Sequence, residues 1–346
     1  MERAIPRIRR TGRRHFLRST AALSLSVLGP GALAACTGLP FQIRSARTPS
    51  IGFLAPGTRE GRGPLVEGLL QGLAELGYVD GKSVHIEFRF AGADDGRLPA
   101  LAAELVSLNV DVIVASATLA SLAAKGATST IPIVMGASSE PVASGIVDSL
   151  VRPGGNVTGL SLMSWQLMGK RLEIARALLP QVSLVAMVAN VTNPVYLPQW
   201  EALEAATQAL AIGAQRLDVR RAEDFDGAFQ AAAAHHADAV IVPADALITN
   251  NRVQIAGLAK QHQLLAIYEF REFVEVGGLM SYGANLHDMY RRAASYVEKL
   301  LKGAHPGDLP IEQPTLFDFA LNLGTARELG LTVPQTVLTQ ATEVLQ

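Results

Sequence analysis

The chain has a single cysteine, Cys36, few aromatic residues and no excess of positive charge. One cysteine excludes an internal disulfide, so Cys36 serves another purpose. Aromatic residues make up 5% of the sequence and apolar residues 49%, with Ala, Leu, Val and Gly dominant. That balance belongs to packed α/β layers and excludes a disordered chain. Seven arginines and one glutamate, Glu2, lie in the first 18 residues, which leaves 23 basic against 30 acidic residues in the rest. An acidic body without a basic N-terminal reader argues against nucleic acid as a partner. Beyond residue 35 no apolar run approaches about 20 residues, so no membrane-spanning helix is expected there.

Signals for catalysis are also missing. The histidines, His15, His85, His235, His236, His262, His287 and His305, show no metal-ligand spacing. There is no Gly-x-Ser-x-Gly elbow and no nucleophilic cysteine. Gly154-Gly155-Asn156 lacks the strand–loop–helix context and the Lys-Ser/Thr of a phosphate loop, and reads as a tight turn. No catalytic residue, metal or cofactor is therefore expected.

The N-terminus carries an address. Seven arginines are followed by an apolar, small-residue stretch over 21–35, the plan of an export signal. Arg13-Arg14-His15-Phe16-Leu17-Arg18 resembles a twin-arginine motif, with Gly12 where Ser or Thr is more usual. Leu33-Ala34-Ala35-Cys36 resembles a bacterial lipobox, in which the cysteine thiol receives a diacylglycerol and becomes the new N-terminus. Plain cleavage after Ala32-Leu33-Ala34 is the alternative. Residues 1–35 are thus read as a signal, Cys36 as a lipidation site and 36–49 as a tether.

The body alternates strand and helix signals, which predicts parallel α/β layers. Strands are expected at 50–54, 83–89, 110–115 and 131–135, with helices at 65–76, 98–108 and 117–126. The same programme returns as strands at 184–189, 215–219, 239–242 and 264–268, with helices at 199–211, 226–235 and 250–261. A long helix over 289–301, a strand near 315–319 and a helix near 326–329 close the chain. Two similar doubly wound α/β domains follow, because single cores seldom exceed about 250–300 residues. The first is assigned 50–162 plus about 284–308, the second 163–283 plus about 309–346.

In open parallel sheets, ligands bind outside the carboxyl ends of the strands. Those ends offer Gly57, Thr118, Glu140, Asn190, Asn193, Asp245 and Tyr282. Thr118 and Asn193 stand where helix N-termini favour an anionic group, and Asp245 suits a cationic amine. Together they suit an amino acid or similar small zwitterion. The same residues also fit plain helix caps. Truncating Asp245 or Thr118 is expected to weaken binding and leave thermal stability little changed.

Several strings then resemble one family. They are Ile51-Gly52-Phe53-Leu54-Ala55-Pro56-Gly57, Gly72-Leu73-Ala74-Glu75-Leu76-Gly77-Tyr78-Val79-Asp80-Gly81, Arg152-Pro153-Gly154-Gly155-Asn156-Val157-Thr158-Gly159, Arg271-Glu272-Phe273-Val274-Glu275 and Gly277-Gly278-Leu279-Met280-Ser281-Tyr282-Gly283. They are similar to the ABC transporter substrate-binding proteins that include tryptophan/tyrosine-type members. The resemblance implies a type I periplasmic binding protein fold: two Rossmann-like domains, a hinge and a central ligand cleft. It implies a small-molecule ligand, a partner permease and ATPase and a periplasmic location; the lipid anchor at the membrane is expected from the lipobox, and no enzyme activity from the missing catalytic constellation. The resemblance also implies that residues 190–194 and Asp245 hold the charged backbone of a ligand, with Thr118 beside them. The chain departs from the pattern at Glu140, where Asp is common, and its Pro56-Gly57-Thr58-Arg59 loop has no aromatic ring to stack on an aromatic ligand. An exported sensory protein, or an enzyme using Asp245 or Glu140 in the same cleft, are the other readings.

Overall fold

The computed structural model describes residues 47–346, and Arg47–Gln346 form one compact unit. The expected export signal, Cys36 and residues 36–46 of the expected tether lie outside the described residues.

Twelve strands form two sheets among the described residues. The first sheet holds β1 (Ser50–Ala55), β2 (His85–Phe90), β3 (Val112–Ser116), β4 (Ile133–Ser138) and β5 (Val157–Ser161), in the order β2-β1-β3-β4-β5. The second holds β6 (Leu184–Asn190), β7 (Gly213–Val219), β8 (Ala239–Val242), β9 (Leu265–Tyr268), β10 (Met280–Ala284), β11 (Phe317–Asn322) and β12 (Glu343–Leu345). Its order is β12-β11-β10-β9-β8-β6-β7, and all its pairings are parallel except β10 with β11. The first five strands of each half therefore share one order, with the second strand outermost beside the first.

The apolar runs form these strands because helices cover both faces of each sheet. Along β1, Ile51, Phe53 and Ala55 enter one core while Leu54 enters another. Along β6, Ala186 and Val188 face one core and Val185, Met187 and Ala189 the other. This alternation is the period-2 pleat of a strand buried on both sides.

Helix Leu286–Leu301 follows β10 of the second sheet in sequence but packs against helix Gly63–Glu75 and β4 of the first. Glycines permit the approach. A Cβ on Gly68 would fall 2.5 Å from the carbonyl oxygen of His287, and one on Gly72 would fall 2.9 Å from the Ala294 methyl. The chain then runs beside β5, where Glu312 N donates to Gly159 O and Ser161 N donates to Glu312 O, before it enters the second sheet as β11. Three crossings thus join the sheets: after β5, after β10 and before β11. The last two are bonded to each other by Asn285 N donating to Leu316 O at 3.1 Å.

Candidate functional site

In each half, the first and third strands are neighbours whose connections leave in opposite directions, which opens a crevice at their carboxyl ends. The first crevice is formed by the turn after β1, which ends at Arg62, and by Ser116, Ala117 and Thr118 after β3. The second is formed by Asn190 and Asn193 after β6 and by Ala244 and Asp245 after β8. The two crevices face each other. Arg62, Ser116, Thr118, Ser139, Leu162, Asn193, Asp245, Thr249, Phe270 and Tyr290 are among the residues that line a cavity between the sheets.

The second sheet contributes a buried carboxylate held by amides. Asn190 Nδ2 donates to both oxygens of Asp245 at 3.1 Å, and Asn193 Nδ2 donates to Oδ2 at 2.7 Å. Asp245 also caps the short helix Ala246–Asn250, accepting from Ile248 N at 3.1 Å. The Asn190 side chain is fixed in turn by Thr192, whose N–H and hydroxyl both donate to Asn190 Oδ1. Asn190 therefore supports Asp245 from behind, while Asn193 and Asp245 line the cavity.

The first sheet contributes hydroxyls and a guanidinium. The Thr118 hydroxyl lies 3.3 Å from both Ser138 Oγ and Ser139 O, and does not cap its helix. Tyr290 donates its phenol to Ser116 Oγ at 2.6 Å. Ala117 at the carboxyl end of β3 and Glu140 just beyond β4 hold φ values of 67° and 47°. Strain of that kind in residues with side chains persists where the surroundings hold it, commonly at ligand sites. Arg62, 6% exposed, donates from Nε to Pro56 O and from Nη2 across the cleft to Asn250 Oδ1.

Glu140 lies off the cavity wall, against the crossing after β5. Its Oε1 accepts from Trp165 N at 3.4 Å. Burial pushes its carboxyl up to about 7, opposed by the Trp165 N–H and assisted by the negative charge of Glu269. Ser139 Oγ is 3.4 Å from Ser164 Oγ, and Ser164 donates to Glu269 Oε1 at 2.5 Å. Glu269 Oε2 accepts from Ala244 N at 2.8 Å and stands 3.3 Å from Arg171 Nη2. A polar chain therefore links Thr118, the crossing segment and the residue before Asp245.

Glu140 carries a pH prediction. A carboxyl raised from its ordinary 4.5 to about 7 keeps its proton in the folded state over a range where the unfolded chain has released it. Stability from this group is complete below the unfolded value and is lost as pH rises through the folded one. Between about pH 5 and 8, the melting temperature of the wild type should fall more steeply than that of Glu140→Gln. Superimposable pH profiles would show that Glu140 does not titrate in this window.

The remaining sequence candidates are placed as follows. Gly57, at φ +75°, lies against Asn250 of the opposite half, since a Cβ there would fall 2.6 Å from Asn250 Oδ1. Tyr282 stacks on Phe317 within the second sheet, its centroid 6.3 Å away, and lies off the cavity wall. Two charged groups of the cleft were not among the candidates. One is Arg62. The other is Asp95, in the short turn Asp95–Arg97 after β2, which borders an adjoining groove with Thr192 of the opposite half. Burial raises the Asp95 carboxyl above its ordinary value, and the charge of Asp245 adds to the rise. Arg62 follows β1 and Asp95 follows β2, each by way of a turn, so neither marks a predicted strand end.

Two doubly wound α/β sheets with a cavity between their strand ends are the architecture of a ligand-binding protein. The chain belongs to the ABC transporter substrate binding protein family, whose model matches residues 51–345. It is similar to a tyrosine-binding protein of Clostridioides difficile (strain R20291), with 26% identity over 265 residues, 77% of this chain and 76% of the relative. Among solved structures it resembles a conserved domain protein of Vibrio cholerae, with TM-score 0.82 and 28% identity over 86% of this chain and all of that one. It also resembles an ABC domain from Streptococcus pneumonia in complex with L-Trp, with TM-score 0.81 and 26% identity at 86% and 100% coverage. The fold is that of the type I periplasmic binding proteins.

Proposed function

We propose that this chain is the solute receptor of an ABC importer, capturing an amino acid or related small zwitterion between two closing domains and delivering it to a membrane permease and its ATPase. The observation that carries this reading is the cavity walled by both sheets, in which Asp245 is held by two asparagine amides as an acceptor for an amine. The tyrosine-binding relative and the neighbour solved with L-Trp support an amino acid, and the apolar wall of Leu65, Leu119, Phe270 and Leu286 supports an apolar side chain. The domains are taken as 50–162 with about 284–308, and 163–283 with about 309–346. A ligand that contacts both prefers the closed state, so binding shifts the population toward closure.

Titration of the purified protein with a panel of amino acids and small organic acids tests this reading. Saturable binding, with a smaller radius of gyration by X-ray scattering, is expected. A panel without a binder would refute it.

Export and lipidation at Cys36 would keep the receptor beside its permease. Cys36→Ser should then move the protein from the membrane fraction to the soluble periplasmic fraction and abolish labelling by radioactive fatty acid. Unchanged fractionation and labelling would exclude the anchor.

A further inference from the structure

Two arginines are buried among the described residues, Arg62 and Arg171. Their surroundings differ. Arg171 has Glu269 3.3 Å away and gives Nε and Nη1 to the carbonyls of Tyr282 and Ser164. Arg62 forms no ion pair among the described residues, and its two hydrogen bonds go to the uncharged Pro56 O and Asn250 Oδ1. Its Nη1 donates to no acceptor among those residues, while the side chain lines the cavity. Asp95 and Glu272 are near enough to act on its charge, yet neither reaches it. Asp95 Oδ1 and Glu272 Oε2 are themselves without hydrogen-bond partners. A charge taken out of water is retained at a cost unless something pairs with it. The planar fork of a guanidinium fits a carboxylate with two parallel hydrogen bonds.

We propose that Arg62 receives the carboxylate of the ligand. This rests on the reading of the cleft as a zwitterion site and places the two ligand charges on different domains, the amine at Asp245 and the carboxylate at Arg62. Because Arg62 also reaches Asn250 across the cleft, recognition of the carboxylate occurs at the contact that closes the domains.

The test compares wild type and Arg62→Gln by calorimetry with L-tyrosine, L-tryptophan and L-leucine, and with the matched amines tyramine, tryptamine and isoamylamine. The variant should bind the amino acids on the order of 100-fold more weakly and the amines within about threefold of wild type. Its ligand-free melting temperature should equal or exceed that of wild type, because an unpaired buried charge is removed. Equal losses for acids and amines, or a ligand-free variant that melts well below wild type, would instead make Arg62 a prop for the turn after β1. If wild type binds none of the amino acids, the zwitterion reading fails separately. Stabilisation by acetate and propionate then decides the inference: a rise in melting temperature in wild type but not in Arg62→Gln supports it, and no difference overturns it.

Discussion

Replacing Asp245 with Asn should weaken amino-acid binding on the order of 100-fold, about 3 kcal/mol, the usual loss when one partner of a buried charge pair is neutralised. Calorimetric titration of wild type and variant measures it. The choice of Asn matters. Asp245 accepts from Asn190, Asn193 and Ile248 N, so truncation to Ala would leave two buried amides and a helix N–H without an acceptor. Each such group costs about 1–3 kcal/mol. The structure therefore changes the expectation for Asp245→Ala: affinity and stability should fall together. Asn keeps the volume and one oxygen for the helix cap while it removes the charge. An Asp245→Asn protein with wild-type affinity would make this residue a cap and no more.

Arg171→Met should have the largest effect on stability. Arg171 and Glu269 are each 1% exposed at the side chain and stand 3.3 Å apart. Removing one member of a buried ion pair typically costs about 3–5 kcal/mol, because the other charge is left without compensation. In a protein of this size the melting temperature should fall by roughly 10 °C, read by scanning calorimetry. Arg171→Met combined with Glu269→Gln should lose less than the sum of the single variants, as expected of groups that interact directly. Additive losses would show that the pair is not coupled. Arg171 also holds Ser164 O, and Ser164 belongs to the crossing after β5, so the variant should loosen one of the three connections between the sheets.

Legibility in the sequence followed the density of apolar residues. The runs that became β3, β6 and β8 were clear because parallel strands covered on both faces carry little else. β5 was missed. Its five residues, Val157–Ser161, include Thr158, Gly159 and Ser161, and it follows two glycines that read as a turn. Its place at the sheet edge comes from pairing with β4 and with the returning segment at Glu312. Helix Met168–Leu178 was also missed: Arg171 interrupts a buried face otherwise made of Met168, Leu172, Ile174, Ala175 and Leu178. The predicted helix over 250–261 is Arg252–Gln261, and a separate short turn, Ala246–Asn250, which Asp245 caps, precedes it.

The candidate site divides in the same way. Thr118, Asn193 and Asp245 directly follow apolar strands, and local order alone places such residues at the open end of a parallel sheet. Arg62 follows β1 by a turn of several residues, Asp95 follows β2, and the chain between them is a helix and a strand. Nothing in their sequence neighbourhood marks them as parts of a cleft. Glu140 and Tyr282 also follow or occupy strands, yet packing turned one toward the crossing and the other toward Phe317.

Composition and strand–helix alternation were enough for the class of fold, because apolar burial and pleat period act over a few residues at a time. The placement of Asp245 and Arg62 on opposite walls of one cleft was decided only in three dimensions. It depends on two sheets meeting at their carboxyl ends, on Gly68 and Gly72 letting Leu286–Leu301 pack onto the first sheet, and on Arg62 being buried without a carboxylate in reach. Electrostatic and desolvation energies depend on distance and burial, and neither is a property of neighbours along the chain.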